Sequence, residues 1–505
     1  MNCVRKNILC YVLLLALMCL SGCAGKGAPP REEAAPPGEN TEEDIIPEGT
    51  RPVRFWFAAS GAGASTMEEI IRDFNASHPD YAVIPRVFGS YTEITSAIRT
   101  ALTTGTAPDL VVLERDVSID LHQKGLTVDL TELLQGDEAF DVSSFFPVYY
   151  RQGVSGDGHL FAMPLYGTTQ VLYYHREAFA DAGIDPAGIA TWQDLADAAR
   201  TIQQKGLCDY GWEPMWGYEN LMDAAFSNGG TVFSEDGRTV TINAPEWVDV
   251  WETFRLWLHE ERLMRIHCGG YGWEYWYHTM DDALSGTAGG YTGSSGDQAD
   301  VDFDVVGMME QPAWKEGRSA APEAMALLLN VMSASSPDAR EGACALIRYL
   351  IDVEAQVKWT TRTGYIAVNQ RVLDDQSYQD YVRRNPYARI PLSQSVHASV
   401  FPVDPTGGVV RDALKLAANR VEIEGLSARD ALNEAQRTAQ RALDAALAEA
   451  ESKAGAMNTV KTGAESAART ESITGAESAA GTGSAVPVRT DGGVSAGTES
   501  EDRLS

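Results

Sequence analysis

Between residue 51 and about 450, apolar positions follow two rhythms that take turns along the chain. Val53-Arg-Phe-Trp-Phe57 is an apolar run of strand length. After it, Ser65 or Thr66 stands where a cap is needed for a helix whose Met67, Ile70, Ile71 and Phe74 recur every three or four residues. Tyr81 to Phe88 reads as a strand, Thr92 to Thr104 as a helix, and Asp109-Leu-Val-Val-Leu113 as a buried strand. Thr191-Trp-Gln-Asp194 has capping-box spacing, and Trp192, Leu195, Ala199 and Ile202 then share one helical face. Such alternation predicts an α/β fold of parallel sheets with crossover helices. Ligands of open sheets of this kind bind at the carboxyl ends of the strands.

Aromatic residues sharpen the pattern in one region, because eight of the eleven tryptophans lie between 192 and 276. Trp247, Trp251, Phe254 and Leu258 form one helical stripe, and Trp273, Trp276, Tyr277 and Met280 form another. Both stripes are expected to pack on a core. Tyr210-Gly-Trp-Glu-Pro-Met-Trp-Gly-Tyr218 is too rich in Gly and Pro for a helix, so Trp212 and Trp216 belong to a loop that faces either core or ligand. Tyr166-Gly-Thr-Thr-Gln170 places small hydroxyls and a glycine between two strand-like runs, with no nucleophile and base beside them.

The two ends differ from this core. Arg5 and Lys6, thirteen apolar residues from Ile8 to Leu20, and Leu20-Ser-Gly-Cys23 describe an export leader over residues 1–22, too short to span a bilayer. Leu-Ser-Gly-Cys resembles a lipobox, which implies cleavage before Cys23 and lipidation of its thiol, holding the protein on the outer face of the cell membrane. Residues 23–50 are acidic and Pro-rich and read as a disordered tether. Residues 451–505 read as a disordered low-complexity tail, with Thr-Gly-Ala-Glu-Ser-Ala-Ala at both 462–468 and 474–480.

Without its leader the chain carries 38 basic and 71 acidic residues, which argues against nucleic acid or anionic lipid as a partner. Beyond Cys23 only Cys208, Cys268 and Cys344 remain, without metal or disulfide spacing; all three are read as small core residues, with one bridge still open. His259-Glu-Glu-Arg-Leu263 lacks the second histidine of a zinc-protease helix, so no metal site is expected. Gly293-Ser-Ser-Gly296 lacks the spacing of a nucleophile elbow, and no phosphate-binding Gly-x-x-x-x-Gly-Lys run occurs. Carboxylates are abundant, but nothing singles out a glycosidase pair.

Several segments occur together in one order: Phe55-Trp56, Asp73-Phe-Asn-Ala-Ser-His-Pro-Asp-Tyr81, Gly105-Thr-Ala-Pro-Asp-Leu-Val111, Met163-Pro164 with Val171-Leu-Tyr-Tyr-His-Arg-Glu-Ala-Phe179, Thr191-Trp-Gln-Asp-Leu195, Ala283-Leu-Ser-Gly-Thr-Ala288 and Arg362-Thr-Gly-Tyr-Ile-Ala-Val368. Together they resemble the family 1 extracellular solute-binding proteins of bacterial ABC importers, over about 51 to 450. The resemblance implies a two-lobed periplasmic-binding-protein-like fold of class II, each lobe a mostly parallel sheet with flanking helices, joined by crossing hinge strands. It implies an amino lobe from 51–166 and 312–362, and a carboxyl lobe from 167–311 and 363–450. Tyr166-Gly-Thr-Thr-Gln170 would be the first crossing, with Gly167 permitting the bend and Thr168 facing ligand.

Within the family the chain is most similar to the glycerol-3-phosphate-binding proteins, through Gly89-Ser-Tyr91, Glu114, the Gly-Trp loop, Ser294-Ser295-Gly296, Tyr365, and Arg411 of Thr406-Gly-Gly-Val-Val-Arg411. By that resemblance Tyr91 and Glu114 would bind polyol hydroxyls, Trp212 or Trp216 would form a wall, and Ser294, Tyr365 and Arg411 would hold phosphate, with Ser295 of the same turn also at the ligand. One departure stands out: Pro322-Glu-Ala324 replaces a Gly-Gly, and Glu323 would repel phosphate if it faced the ligand. The implied function is capture, by a monomer without cofactor, of a polyol phosphate or a carbohydrate for delivery to ABC permease subunits. A neutral oligosaccharide is the alternative cargo. The rival classes are an exported carbohydrate-active enzyme and a sensory or adhesive lipoprotein.

Overall fold

The computed structural model describes residues 49–135 and 140–452. The leader, Cys23 and nearly all of the tether and tail lie outside the described residues; the helix over 428–452 carries into the first residues of the stretch read as tail. Among the described residues no helix is long and apolar enough to cross a membrane.

Among the described residues, ten strands form two sheets. In chain order they are β1 (Arg51–Ala58), β2 (Tyr81–Phe88), β3 (Leu110–Leu113), β4 (Met163–Thr168), β5 (Gln170–His175), β6 (Glu213–Pro214), β7 (Gly290–Ser294), β8 (Val306–Met309), β9 (Met325–Val331) and β10 (Ile366–Ala367). One sheet has the order β10-β4-β9-β3-β1-β2 and the other β6-β7-β5-β8. The helices Gly61–Ser77 and Tyr91–Thr104 follow β1 and β2, and β1 pairs in parallel with both β2 and β3, as the alternation predicts.

Elsewhere the direction differs from the expectation of mostly parallel sheets. Five of the eight pairings between these strands are antiparallel. Connectivity is the cause: β4 runs straight into β5 of the other sheet with Thr169 alone between them, and β9 returns to lie between β3 and β4. Segments leaving and re-entering a sheet side by side must run in opposite directions. Ile366–Ala367, expected in the carboxyl lobe, pairs with Gly167 and Tyr166 of β4 and so belongs to the six-stranded sheet.

Gly167 is required for a reason other than bending. A Cβ there would come within 2.3 Å of the Tyr149 ring, so close packing excludes any side chain.

Each sheet has its own core. Phe55, Phe57, Ile70, Phe74, Leu327 and Ile347 are buried against the six-stranded sheet. Beside the smaller sheet a large cluster gathers Trp192, Trp212, Trp247, Trp251 and Trp257 with Leu414 and Leu432 from the last helices. The stripe Trp247, Trp251 and Phe254 is buried on the helix Pro245–Arg255, and Leu258 continues it in a wider turn. Thr191 and Asp194 form the expected capping box: Thr191 Oγ1 accepts from the Asp194 amide at 3.1 Å and Asp194 Oδ2 accepts from the Thr191 amide at 2.8 Å. Such a cap contributes about 1 kcal/mol.

The cysteines correct one expectation. Cys208 and Cys344 are buried, but Cys268 is exposed, and all three are free.

Candidate ligand-binding cleft

The carboxyl ends of β1 and β3, the β4–β5 crossing and β9 open onto one cleft with a cavity of about 240 Å³. The cleft therefore lies where an open α/β sheet leaves strand ends and backbone groups uncovered. One wall carries Tyr91 at the start of its helix, Glu114 just past β3, and Trp359 on the helix Val353–Thr363. The opposite wall carries Trp216, Glu219 and Asp223, the aromatic face of the helix Glu274–Leu284, and the turn after β7.

Six of the nine residues singled out from the sequence line this cleft: Tyr91, Glu114, Thr168, Trp216, Ser294 and Tyr365. Local geometry fixes several of them. The Tyr91 and Tyr166 hydroxyls meet at 3.1 Å, and Tyr166 packs on Tyr365 with ring centroids 4.6 Å apart. Tyr365 lies nearly parallel to Trp359, 8° between the planes. Thr168 Oγ1 lies 3.0 Å from Ser294 Oγ and 3.2 Å from Ser295 Oγ, tying the crossing to the turn after β7. Trp216 donates from Nε1 to Asn419 at 3.1 Å and meets Tyr275 edge to face at 5.0 Å.

Trp212, Ser295 and Arg411 stand outside the lining. Trp212 is fully buried, and its Nε1 donates to Thr292 Oγ1 at 3.0 Å, so of the two loop tryptophans Trp216 alone reaches the wall. Ser295 is fully buried behind Thr168. Arg411 sits behind the cleft, where its guanidinium pairs with Asp116, lies 2.9 Å from Glu323 Oε1, donates to the Tyr218 hydroxyl and stacks 3.9 Å over Phe401. These partners occupy the fork that a phosphate would need.

The structure also supplies residues the sequence reading assigned elsewhere. Trp273, Trp276, Tyr277 and Met280, read as a core stripe, line the cleft. Their spacing showed a shared face but not what covers it; the signal that separates them is the Gly-Gly-Tyr-Gly run at 269–272 just before the stripe, which marks a loop at the helix entrance. Glu219 and Asp223, one turn apart on the helix Glu219–Ser227, and Glu323 at the foot of β9 add carboxyl groups. Glu323 does face the cleft, the condition under which it opposes a phosphate.

Electrostatically the lining is one-sided. It holds nine aromatic rings and six carboxyl groups, and among the described residues that line it there is no Lys, Arg or His. Burial pushes Asp297 up to about 8, against the hydrogen bond its Oδ1 accepts from Trp276 Nε1 at 2.9 Å. Burial raises Glu219 to about 7 and carries Asp223 well above the usual carboxylate range. Rings of this kind cover the C–H faces of a sugar or polyol, while carboxyl groups accept from its hydroxyls or, when protonated, donate to them.

Away from the cleft, Glu213, His267 and Asp282 lie close enough together to resemble a metal site. Arg265 pairs with both Glu213 and Asp282, so a guanidinium already supplies the positive charge a metal ion would bring.

Comparison with known proteins agrees with this architecture. The family model of the bacterial extracellular solute-binding proteins matches residues 69–386. The chain is 27% identical over 373 residues to the sn-glycerol-3-phosphate-binding periplasmic protein UgpB of Escherichia coli K12, covering 69% of this chain and 82% of that protein. Among solved structures, UgpB from Mycobacterium tuberculosis in complex with glycerophosphocholine superposes with a TM-score of 0.69 at 18% identity, covering 79% of this chain and 100% of that one. The GacH receptor of Streptomyces glaucescens, solved unliganded and with acarbose, superposes with a TM-score of 0.69 at 18% identity, covering 78% and 99%. With its two mixed sheets, the crossing at Thr169 and the ring-lined cleft between them, this chain belongs to the bacterial extracellular solute-binding protein family, whose members bind their ligands and do not transform them.

Proposed function

We propose that this protein is the lipid-anchored capture component of an ABC importer, and that its cargo is a carbohydrate or polyol seated in the cleft between the two sheets. The observation that carries the reading is the lining itself: nine rings and six carboxyl groups, with no basic side chain among the described lining residues. Sugar rings stack on aromatic faces, and their hydroxyls satisfy carboxyl oxygens that closure would otherwise bury alone. Thr168, Ser294 and Tyr365 add hydroxyls at the floor; Tyr91, Glu114 and Trp216 complete the walls. The leader supports anchoring through Cys23, and the family supports delivery to a permease.

A phosphate-bearing cargo is the second reading, favoured by the relationship to the glycerol-3-phosphate-binding protein. It requires Arg411 to leave Asp116 and Glu323 and turn into the cleft. Calorimetric titration with maltotriose, sn-glycerol-3-phosphate and glycerophosphocholine separates the two. The sugar is expected to bind; binding of sn-glycerol-3-phosphate alone would replace the first reading with the second, and binding of none would reject both. Mass spectrometry of the membrane-extracted protein tests the anchor, with an acylated Cys23 at the new amino terminus as the expected result.

A further inference from the structure

On the side of the smaller sheet, the aromatic wall of the cleft comes from two stretches far apart in the chain. The loop after β6 brings Trp216, and the helix Glu274–Leu284, with Trp273 at its cap, brings Tyr275, Trp276 and Tyr277. Backbone pairing gives the first stretch little hold. β6 is two residues long and lies at the edge of its sheet, and one of the two is Pro214, which has no amide to donate to the ladder. Side chains must therefore add to its grip.

Behind the wall and outside the cavity lining, Arg265 joins the two stretches. Its Nε donates to Glu213 Oε1 at 2.7 Å, its guanidinium also pairs with Asp282 on the helix, and it stacks 3.9 Å over the ring of Tyr210. Its own amide donates to the Trp212 carbonyl at 3.2 Å. Arg265 thus grips the Trp216 loop through Tyr210, Trp212 and Glu213, and the helix through Asp282. His267 Nε2 lies 2.7 Å from Asp282 Oδ2 and 3.8 Å from Glu213 Oε2, closing the cluster on its other side. Glu213 is fully buried, and burial pushes it up to about 7 against the pull of Arg265.

Apolar residues of similar volume usually stabilise a core as well as a buried ionic cluster does, so stability alone does not account for this one. A guanidinium fork does what apolar packing cannot: it fixes the direction and spacing of the two carboxylates it bridges. We propose that Arg265 is a positioning residue for the cleft, and that by tying β6 to the helix Glu274–Leu284 it sets Trp216 against Tyr275 and Trp276 at the spacing the cargo meets. At the cleft end of the same two stretches, Trp216 and Tyr275 stand edge to face at 5.0 Å. Arg265 itself touches no cargo. The inference rests on the capture reading given above and deepens it by naming what shapes the wall from behind.

The test is fluorine NMR of the full chain labelled with fluorotryptophan, each signal assigned by its loss in a single Trp→Phe variant, together with calorimetric titration with maltotriose. Arg265→Lys keeps the charge and loses the fork. It is expected to shift or broaden the signals of Trp216 and Trp276, to leave those of Trp247 and Trp251 in place, and to weaken maltotriose binding about tenfold. Asp282→Asn releases only the helix end of the tie, at a partly exposed side chain, and serves if the first variant does not fold; it is expected to act in the same direction by about threefold. Unmoved signals at Trp216 and Trp276, or equal movement at Trp247 and Trp251, would overturn the inference and leave the cluster a general prop of its lobe. Moved wall signals with unchanged maltotriose affinity would overturn it as well. Failure of the unaltered protein to bind maltotriose would reject the sugar reading, and the fluorine signals alone would then decide the role of Arg265.

Discussion

Two aromatic stripes with the same helical spacing meet opposite fates in this molecule. Trp247, Trp251 and Phe254 are closed over by the helices Glu219–Ser227 and Val409–Glu422 and are no more than 1% exposed. Trp273, Trp276 and Tyr277, about one helix further on, stay partly open and form a wall of the cleft. Periodicity announces a face and says nothing of its cover. In the first case the cover is more protein; in the second it is the opposite lobe and whatever lies between.

The comparison can be broken from either side, and the largest effect belongs to the covered stripe. Trp251→Ala removes a fully buried ring and the hydrogen bond its Nε1 donates to the Leu221 carbonyl, so unfolding free energy is expected to fall by about 3–5 kcal/mol in urea denaturation. A loss under about 1 kcal/mol would mean the stripe is not core. Trp273→Ala should do the reverse. Its ring meets Tyr91 edge to face across the cleft at 6.0 Å, and truncation is expected to weaken ligand binding about tenfold while changing stability by less than about 1 kcal/mol. Unchanged affinity by calorimetry would remove this wall from the site.

A smaller effect separates the stripes by pH. Trp276 donates to Asp297, a buried acid held up at about 8, whereas an unfolded aspartate titrates near about 3.9. A proton bound more tightly in the folded state means that this contribution is fully present below about pH 4 and is lost as pH rises through about 8. Asp297→Asn is therefore expected to flatten the fall in stability from pH 5 to pH 8, read from urea midpoints at the two values; an unaltered slope would contradict the buried acid. The smallest effect is expected at Tyr271, just ahead of the cleft stripe and 83% exposed: Tyr271→Ala should shift stability by no more than about 0.5 kcal/mol and leave affinity unchanged. A measurable loss of affinity would extend the wall outward.

The same distinction explains what the sequence made legible. The first strands and helices were readable because one sheet-facing or helix-facing pattern decides each of them: β2 at 81–88 and the helix begun by the Thr191 capping box stand where they were read. The antiparallel course of β9 was not, since it follows from the chain crossing between sheets and back, a long-range fact absent from local pattern. Tyr91, Glu114, Thr168 and Ser294 were legible because they lie beside strand ends, where short motifs and topology coincide. Trp212 was left open between core and ligand, and Arg411 was set at the ligand, because burial depends on distant partners: Thr292 for the first, and Asp116, Glu323 and Tyr218 for the second.

The most direct test of the central claim is a crystal structure of the protein with bound cargo. The account predicts a ligand between Trp216, Trp273 and Tyr365, touched by rings, hydroxyls and carboxyl groups, with Arg411 still held by Asp116 and Glu323. Density for a phosphate gripped by an Arg411 turned into the cleft, or a ligand bound elsewhere on the molecule, would contradict it.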